Sequence, residues 1–371
     1  MRYALLVGLT TVLGCGDDSA GGDGGTGDPT TPTTSSGVGP DDGDDESSDP
    51  AADSETGDAD TTAGPDTGLD TGAPDTDGGS TEGTTGGDDG PNVDLSDPQL
   101  YEFELDPLAL DPTVVDNIEL QYAHLDTRAQ PLGKLVFFLS GFTNTPAAWR
   151  DHGRQLASYG FHVVEPHYNN SWSCGGMGGD CNADTRWEAL TGEDTSTVIV
   201  ASRADSAEGR VITMLEHLID AHPGGDWGYY LNDDGTLRDE HVIIAGISHG
   251  ASSSGLFASR RPFFRAVMHS GGWGAVGDDP ATPIEAFYGL SHVDDEQHPG
   301  HLGAWDAAGL SGAPANINEM MPPYGDSHRL IASTPNGYPH CSVVVHSSSP
   351  MDGEDYVFDP AWRVLYGAPL R

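Results

Sequence analysis

Basic side chains are scarce in this chain: 15 Lys and Arg stand against 59 Asp and Glu, a formal net charge of −44. The deficit is uneven. Between Gly16 and Gly90 there are 21 acids and no Lys or Arg, leaving 38 acids and 14 bases from Pro91 onward. Phosphate contacts need clustered Lys and Arg, so this balance excludes electrostatic binding to nucleic acid or to an anionic membrane surface and favours neutral or cationic partners. Large apolar residues are nearly missing from Gly16 to about Asn92, where Gly, Asp, Thr, Pro and Ser dominate. Such a stretch cannot bury enough surface to offset its ordering entropy, and it is expected to be a disordered tether. The apolar run at the N-terminus is too short for a helix that spans a membrane.

What is there begins with Arg2, the apolar segment Tyr3 to Leu9, and Val12-Leu13-Gly14-Cys15. This reads as a secretory signal. The tetrapeptide resembles a bacterial lipobox, which implies lipidation of Cys15 and a lipid-anchored place in the cell envelope; the alternative is an ordinary cleaved signal that happens to hold a Cys. The chain then divides into a signal over 1–15, an acidic tether over 16–95 and a folded domain over 96–371.

In the folded part, Tyr101 to Leu105 and Ile118 to Tyr122 alternate apolar and polar residues, as half-exposed antiparallel strands at a sheet edge do. Leu135 to Leu139 is continuously apolar and reads as a central strand buried on both faces. Thr145 and Pro146 suit the start of the next helix, Gly160 its end, and Phe161 to Val164 the following strand. Strand, helix, strand implies a parallel sheet with right-handed crossovers. The stretch from Asn169 to Ala201 reads as a long irregular loop that covers something. Within it Cys174 and Cys181 enclose six residues. In an exported chain they suggest a small disulfide hairpin; a metal pair is the alternative, but no His stands beside them at ligand spacing. Cys341 is left over as a buried thiol. Asp205 or Ser206 caps a helix with Val211, Met214, Leu215, Leu218 and Ile219 on one face. Later strands are expected at Arg265 to His269 and Ile284 to Val293, a helix at His301 to Leu310, and a final strand pair at Arg329 to Ser333 and Ser342 to Val345.

The stretch that organises this domain is His241 to Ser252, an apolar run that meets Gly246-Ile247-Ser248-His249-Gly250 and continues into small residues. It reads as strand, sharp turn, helix, with Ser248 exposed at the tip and the two glycines allowing strand and helix to approach closely. A serine hydroxyl becomes a useful nucleophile when an imidazole takes its proton and a carboxylate holds that imidazole in one tautomer. His340 is the expected base. His249 is set aside because its side chain should point off the turn.

From about Ile118 to the C-terminus the chain resembles an α/β-hydrolase. The resemblance rests on Leu139-Ser140-Gly141-Phe142 after a buried strand, the pentapeptide at Ser248, an acid after the second strand beyond it, and a His in the last loop. More narrowly, Asp226 to Leu231 leading into the elbow, with Pro339-His340-Cys341-Ser342-Val343-Val344, is similar to a poorly characterised set of bacterial exported hydrolases without an assigned substrate. Ser140 departs from relatives that carry His there. The resemblance implies an α/β fold with a mostly parallel, doubly wound sheet and an antiparallel N-terminal edge. It also implies an ester substrate taken through an acyl-enzyme, no cofactor, and an oxyanion hole from the backbone N–H groups of His249 and Phe142. The fold often places its acid three residues beyond the strand end, which from His292 is Asp295, with Asp294 the alternative. Two rival readings remain: a silent hydrolase-like module that binds a surface partner, and a metal-dependent protein built on His292, His298 and His301 with Asp294, Asp295 and Glu296.

Overall fold

A computed structural model of the chain describes residues 90–175, 177 and 180–371. The signal segment with Cys15, and positions 16–89 of the expected tether, lie outside the described residues. The start of the described chain is fixed to the domain by Asn92, whose N–H donates to Asp226 Oδ2 (2.6 Å), and by Asp94, whose N–H donates to the Gly224 carbonyl (2.8 Å).

Nine strands make one sheet: β1 (Leu100–Leu105), β2 (Gln121–Asp126), β3 (Leu135–Leu139), β4 (His162–Glu165), β5 (Val242–Ile247), β6 (Arg265–His269), β7 (Phe287–His292), β8 (Ala315–Asn316) and β9 (Arg329–Ala332). Their spatial order is β1-β2-β4-β3-β5-β6-β7-β9-β8. From β4 across to β8 every pair is parallel, while β2 runs antiparallel to both β1 and β4. This is the expected α/β architecture with its antiparallel N-terminal edge. The helices are α1 (Pro107–Leu110), α2 (Arg150–Ala157), α3 (Asp180–Thr191), α4 (Ala207–Ala221), α5 (His249–Arg260), α6 (His298–Ala308) and α7 (Asp359–Tyr366).

The apolar runs of β3 and β5 explain the two layers. Successive side chains of a strand point to opposite faces, so Leu135, Phe137, Leu139, Val242 and Ile244 pack with Met214 and Leu215 of α4 and Phe257 of α5. Val136, Phe138, Ile243, Ala245 and Ile247 enter a second core with Leu156 of α2 and Trp362 and Leu365 of α7. A strand covered on both faces has no use for polar alternation.

Five expectations need correction. The second strand starts at Gln121 rather than Ile118 and is buried along its whole length, because it lies inside the sheet between β1 and β4 with α2 packed upon it. Thr145 makes no capping hydrogen bond: Pro146–Trp149 is a 3₁₀ turn that leads into α2. The stretch Asn169 to Ala201 is not wholly irregular, for it contains α3. That helix buries Thr185, Arg186 and Glu188 beside Ala189 and Leu190, so no apolar stripe advertises it. Ser342 to Val345 is a buried series of turns rather than a strand, and β9 is instead flanked by β8. Finally, Cys341 is buried but disulfide-bonded, not a thiol. Cys174 and Cys181 are joined to each other as expected, with Cα atoms 6.0 Å apart. Ser206 is the cap of α4, accepting from Gly209 N–H at 3.1 Å.

The elbow is sterically demanding. A Cβ on Gly250 would lie 2.1 Å from the Leu139 carbonyl oxygen, and one on Gly246 would lie 2.6 Å from the Gly250 backbone. Backbone of two central elements cannot retreat from such contacts. Gly250→Ala is therefore expected to cost at least about 3 kcal/mol, the upper part of the overpacking range, or to prevent folding. Denaturant melts check this, and a wild-type midpoint would overturn the steric account.

Candidate active site

In a parallel sheet all strands end at one edge, and β5 and β7 deliver the elbow and the following acidic loop to that edge. Ser248 sits at φ 56°, ψ −114°, between β5 and the first residue of α5. A non-glycine residue at positive φ is a strained conformation kept only where its surroundings dictate it. Here Ser248 N–H donates to the His269 carbonyl (2.8 Å), and Ser252 N–H donates to the Ser248 carbonyl (3.1 Å). Gly141, in the loop after β3, lies against the elbow: its Cβ, if present, would be 3.6 Å from that of Ser248. This loop is tied down by Asn170 Nδ2, which donates to the carbonyls of Gly141 (2.7 Å) and Asn144 (2.8 Å), and by Tyr168 OH, which donates to the Ser140 carbonyl (3.1 Å). Among the described residues no acceptor takes the backbone N–H of Phe142 or of His249.

Asp295 is the third residue past β7, buried, and within 2.7 Å of His340 Nδ1 through Oδ2; its Oδ1 accepts from Gln297 N–H (2.9 Å). Burial acts to raise this carboxyl, but the His340 hydrogen bond and charge, the Gln297 N–H and nearby His301 together hold it below its ordinary value. The other ring nitrogen of His340, Nε2, is buried and has no hydrogen-bond partner among the described residues. Asp294 points away, its side chain 63 % exposed and 3.8 Å from His292, and Glu296 is exposed. His249 packs its ring on Trp172 (4.6 Å between centroids) and Phe142 (6.1 Å), off the turn.

The expected histidine cluster is partly dispersed. His292 Nε2 meets the Thr334 carbonyl (2.7 Å) and its Nδ1 accepts from Asp294 N–H (3.1 Å). His298 and His301 both face Ser291 Oγ at 2.9 Å through Nδ1. Asp295, His301 and His340 do bring donor atoms within 4.8 Å of one another. These three side chains are, however, already engaged in the Asp295–His340 and Ser291–His301 hydrogen bonds. Burial lowers His301 to about 4, so near neutrality it is an uncharged neighbour that does not compete with His340 for the Asp295 charge. A cavity of about 630 Å³ lined by Asp126, Arg128, Gln155 and Arg371 lies beside the far end of β2, at the opposite edge of the sheet from Ser248.

No family model and no curated protein matches the chain. Among solved structures the chain is similar to an acetyl xylan esterase from Aspergillus awamori, at 14 % identity and a TM-score of 0.39, over 72 % of this chain and all of that one.

Proposed function

We propose that this protein is a serine hydrolase that cleaves a carboxylester through an acyl-enzyme. His340 Nε2 takes the proton of Ser248 Oγ as that oxygen attacks the ester carbonyl, and Asp295 holds the imidazole by Nδ1 and stabilises its charge. The carbonyl electrons move onto an oxyanion held by the backbone N–H groups of His249 and Phe142. The alcohol leaves with the proton from His340, and water, activated by the same imidazole, hydrolyses the acyl-Ser248. The observation that carries this reading is His340 itself. Its Nδ1 is bound to a buried carboxylate, and its Nε2 is buried without a partner, in a protein whose elbow serine occupies the same sheet edge. Labelling of the wild-type protein by a fluorophosphonate tests it; no labelling would leave a hydrolase-like module that only binds.

We further propose that Cys15 carries a lipid and anchors the domain to the bacterial cell envelope. What supports this reading is the sequence, where the apolar segment Tyr3 to Leu9 runs into Val12-Leu13-Gly14-Cys15. The protein is expected to fractionate with membranes and Cys15→Ser to release it, checked by mass spectrometry of the mature N-terminus. An unmodified Cys15, or cleavage elsewhere, would refute the anchor.

A further inference from the structure

Arg186 of α3 is 8 % exposed, yet its guanidinium makes no hydrogen bond or ion pair with any described residue, and its Nε and Nη1 atoms are buried without partners. It is stacked instead among aromatic rings, 4.9 Å from the centroid of Trp172 and 5.8 Å from that of Trp273. Such stacking recovers only part of the cost of burying a cation without a counter-charge. Burial accordingly pulls the guanidinium down to about 10, opposed only by Tyr168. The other buried arginines among the described residues show the contrast: Arg210 has Asp205 at 3.2 Å and Arg363 has Asp359 at 2.7 Å.

The position of this charge matters. Trp172 touches both Arg186 and, at 4.6 Å, the ring of His249, and His249 follows Ser248 directly. Tyr168, which acts electrostatically on the same guanidinium, donates to the Ser140 carbonyl at the start of the loop that lies against the elbow. The Cys174–Cys181 bond ties the Trp172 segment to the start of α3. An uncompensated donor fork is thus held by rigid aromatic walls one ring away from the proposed nucleophile.

We propose that Arg186 is a substrate-binding residue that receives a carboxylate carried by the ester, so that the preferred substrate is an anionic ester such as the half-ester of a dicarboxylic acid. The guanidinium fork matches a carboxylate with two parallel N–H donors. Among the described residues Arg186 is the cation that stacks on Trp172, and burial and the Arg186 charge keep the neighbouring His249 well below its ordinary value and therefore neutral. One positive charge balances a monoanion, not a phosphate dianion. The acidic surface does not oppose this, because a pre-placed buried cation acts at short range in a low dielectric while exposed charges are screened.

This rests on the hydrolase reading, and the test separates the two. Values of kcat/KM are compared for matched pairs: 4-nitrophenyl hemisuccinate against 4-nitrophenyl butyrate, and 3-acetoxybenzoate against phenyl acetate. Wild type is expected to prefer the charged member of one pair by roughly ten- to a hundredfold, the range of a hydrogen-bonded charge. Arg186→Met should collapse that ratio, and Arg186→Lys, which keeps the charge without the fork, should leave a part of it. Equal rates in both pairs for wild type would overturn the inference even if every ester is cleaved, as would a preference for 3-acetoxyphenyl phosphate over 3-acetoxybenzoate. If no ester is cleaved, the hydrolase reading has failed, and the site is judged by melting: succinate should raise Tm of wild type and not of Arg186→Met, and no shift overturns it.

Discussion

Ser248→Ala is expected to abolish ester turnover and fluorophosphonate labelling, with a loss on the order of 10⁶ in kcat, the scale on which Ser-His-Asp units fail when the nucleophile is removed. The melting temperature should stay close to that of wild type. Both halves follow from the elbow. The positive φ of Ser248 is imposed by the backbone around it, through the Ser248–His269 hydrogen bond and the approach of Gly246 to Gly250, and an alanine has the same Cβ and meets the same constraint. Among the described residues no hydrogen bond uses Ser248 Oγ, so removing that atom orphans no buried partner. Activity and stability are therefore predicted to separate, which distinguishes loss of a reacting atom from damage to the fold. Full residual turnover would sink the catalytic assignment.

The second large effect concerns the choice between neighbouring acids. Asp295→Asn should lower kcat by about 10⁴, since an amide at that place favours the wrong His340 tautomer, while Asp294→Asn should change it little. Asparagine keeps the shape of Asp295 and can still accept from Gln297 N–H, so the variant should fold. Asp294 is a solvated carboxylate on the loop surface. The depressed Asp295 carboxyl adds a pH consequence. A folded-state value below the ordinary one keeps the group ionised and its stabilising contribution intact at pH above about 3.9. That contribution is lost only as pH falls through the lowered value. An acid limb of activity near neutrality would then have to arise elsewhere than Asp295. A large loss in Asp294→Asn with none in Asp295→Asn would overturn the assignment, and no loss in either would remove the loop from the mechanism.

Much of the frame around these residues was legible in the sequence. Continuous apolar runs at Leu135 to Leu139 and Val242 to Ile247 announced strands covered on both faces, and the glycines flanking Ser248 announced a turn in which Cβ atoms do not fit. Counting three residues from the end of β7 reached Asp295, the residue that meets His340. Local rules also misled where tertiary contacts outweighed them. Val343, Val344 and Val345 have the composition of a strand, yet they fill a core against Trp362 and Leu365 without joining the sheet. Helix α3 escaped notice because its buried face carries Arg186 and Glu188, the latter occupied with the N–H groups of Thr195, Ser196 and Ala201.

The sequence by itself determined the central strands β3 to β7, the elbow and the residue at its tip, because these depend on side-chain period and on steric room within a few residues. Only the tertiary structure decided which carboxylate reaches His340 across 45 positions, that Cys341 is disulfide-bonded, and that Arg186 is buried with no counter-charge beside the elbow. Each of those depends on atoms that chain folding brings together from distant segments, and on what burial then removes from water, neither of which is written in any local pattern.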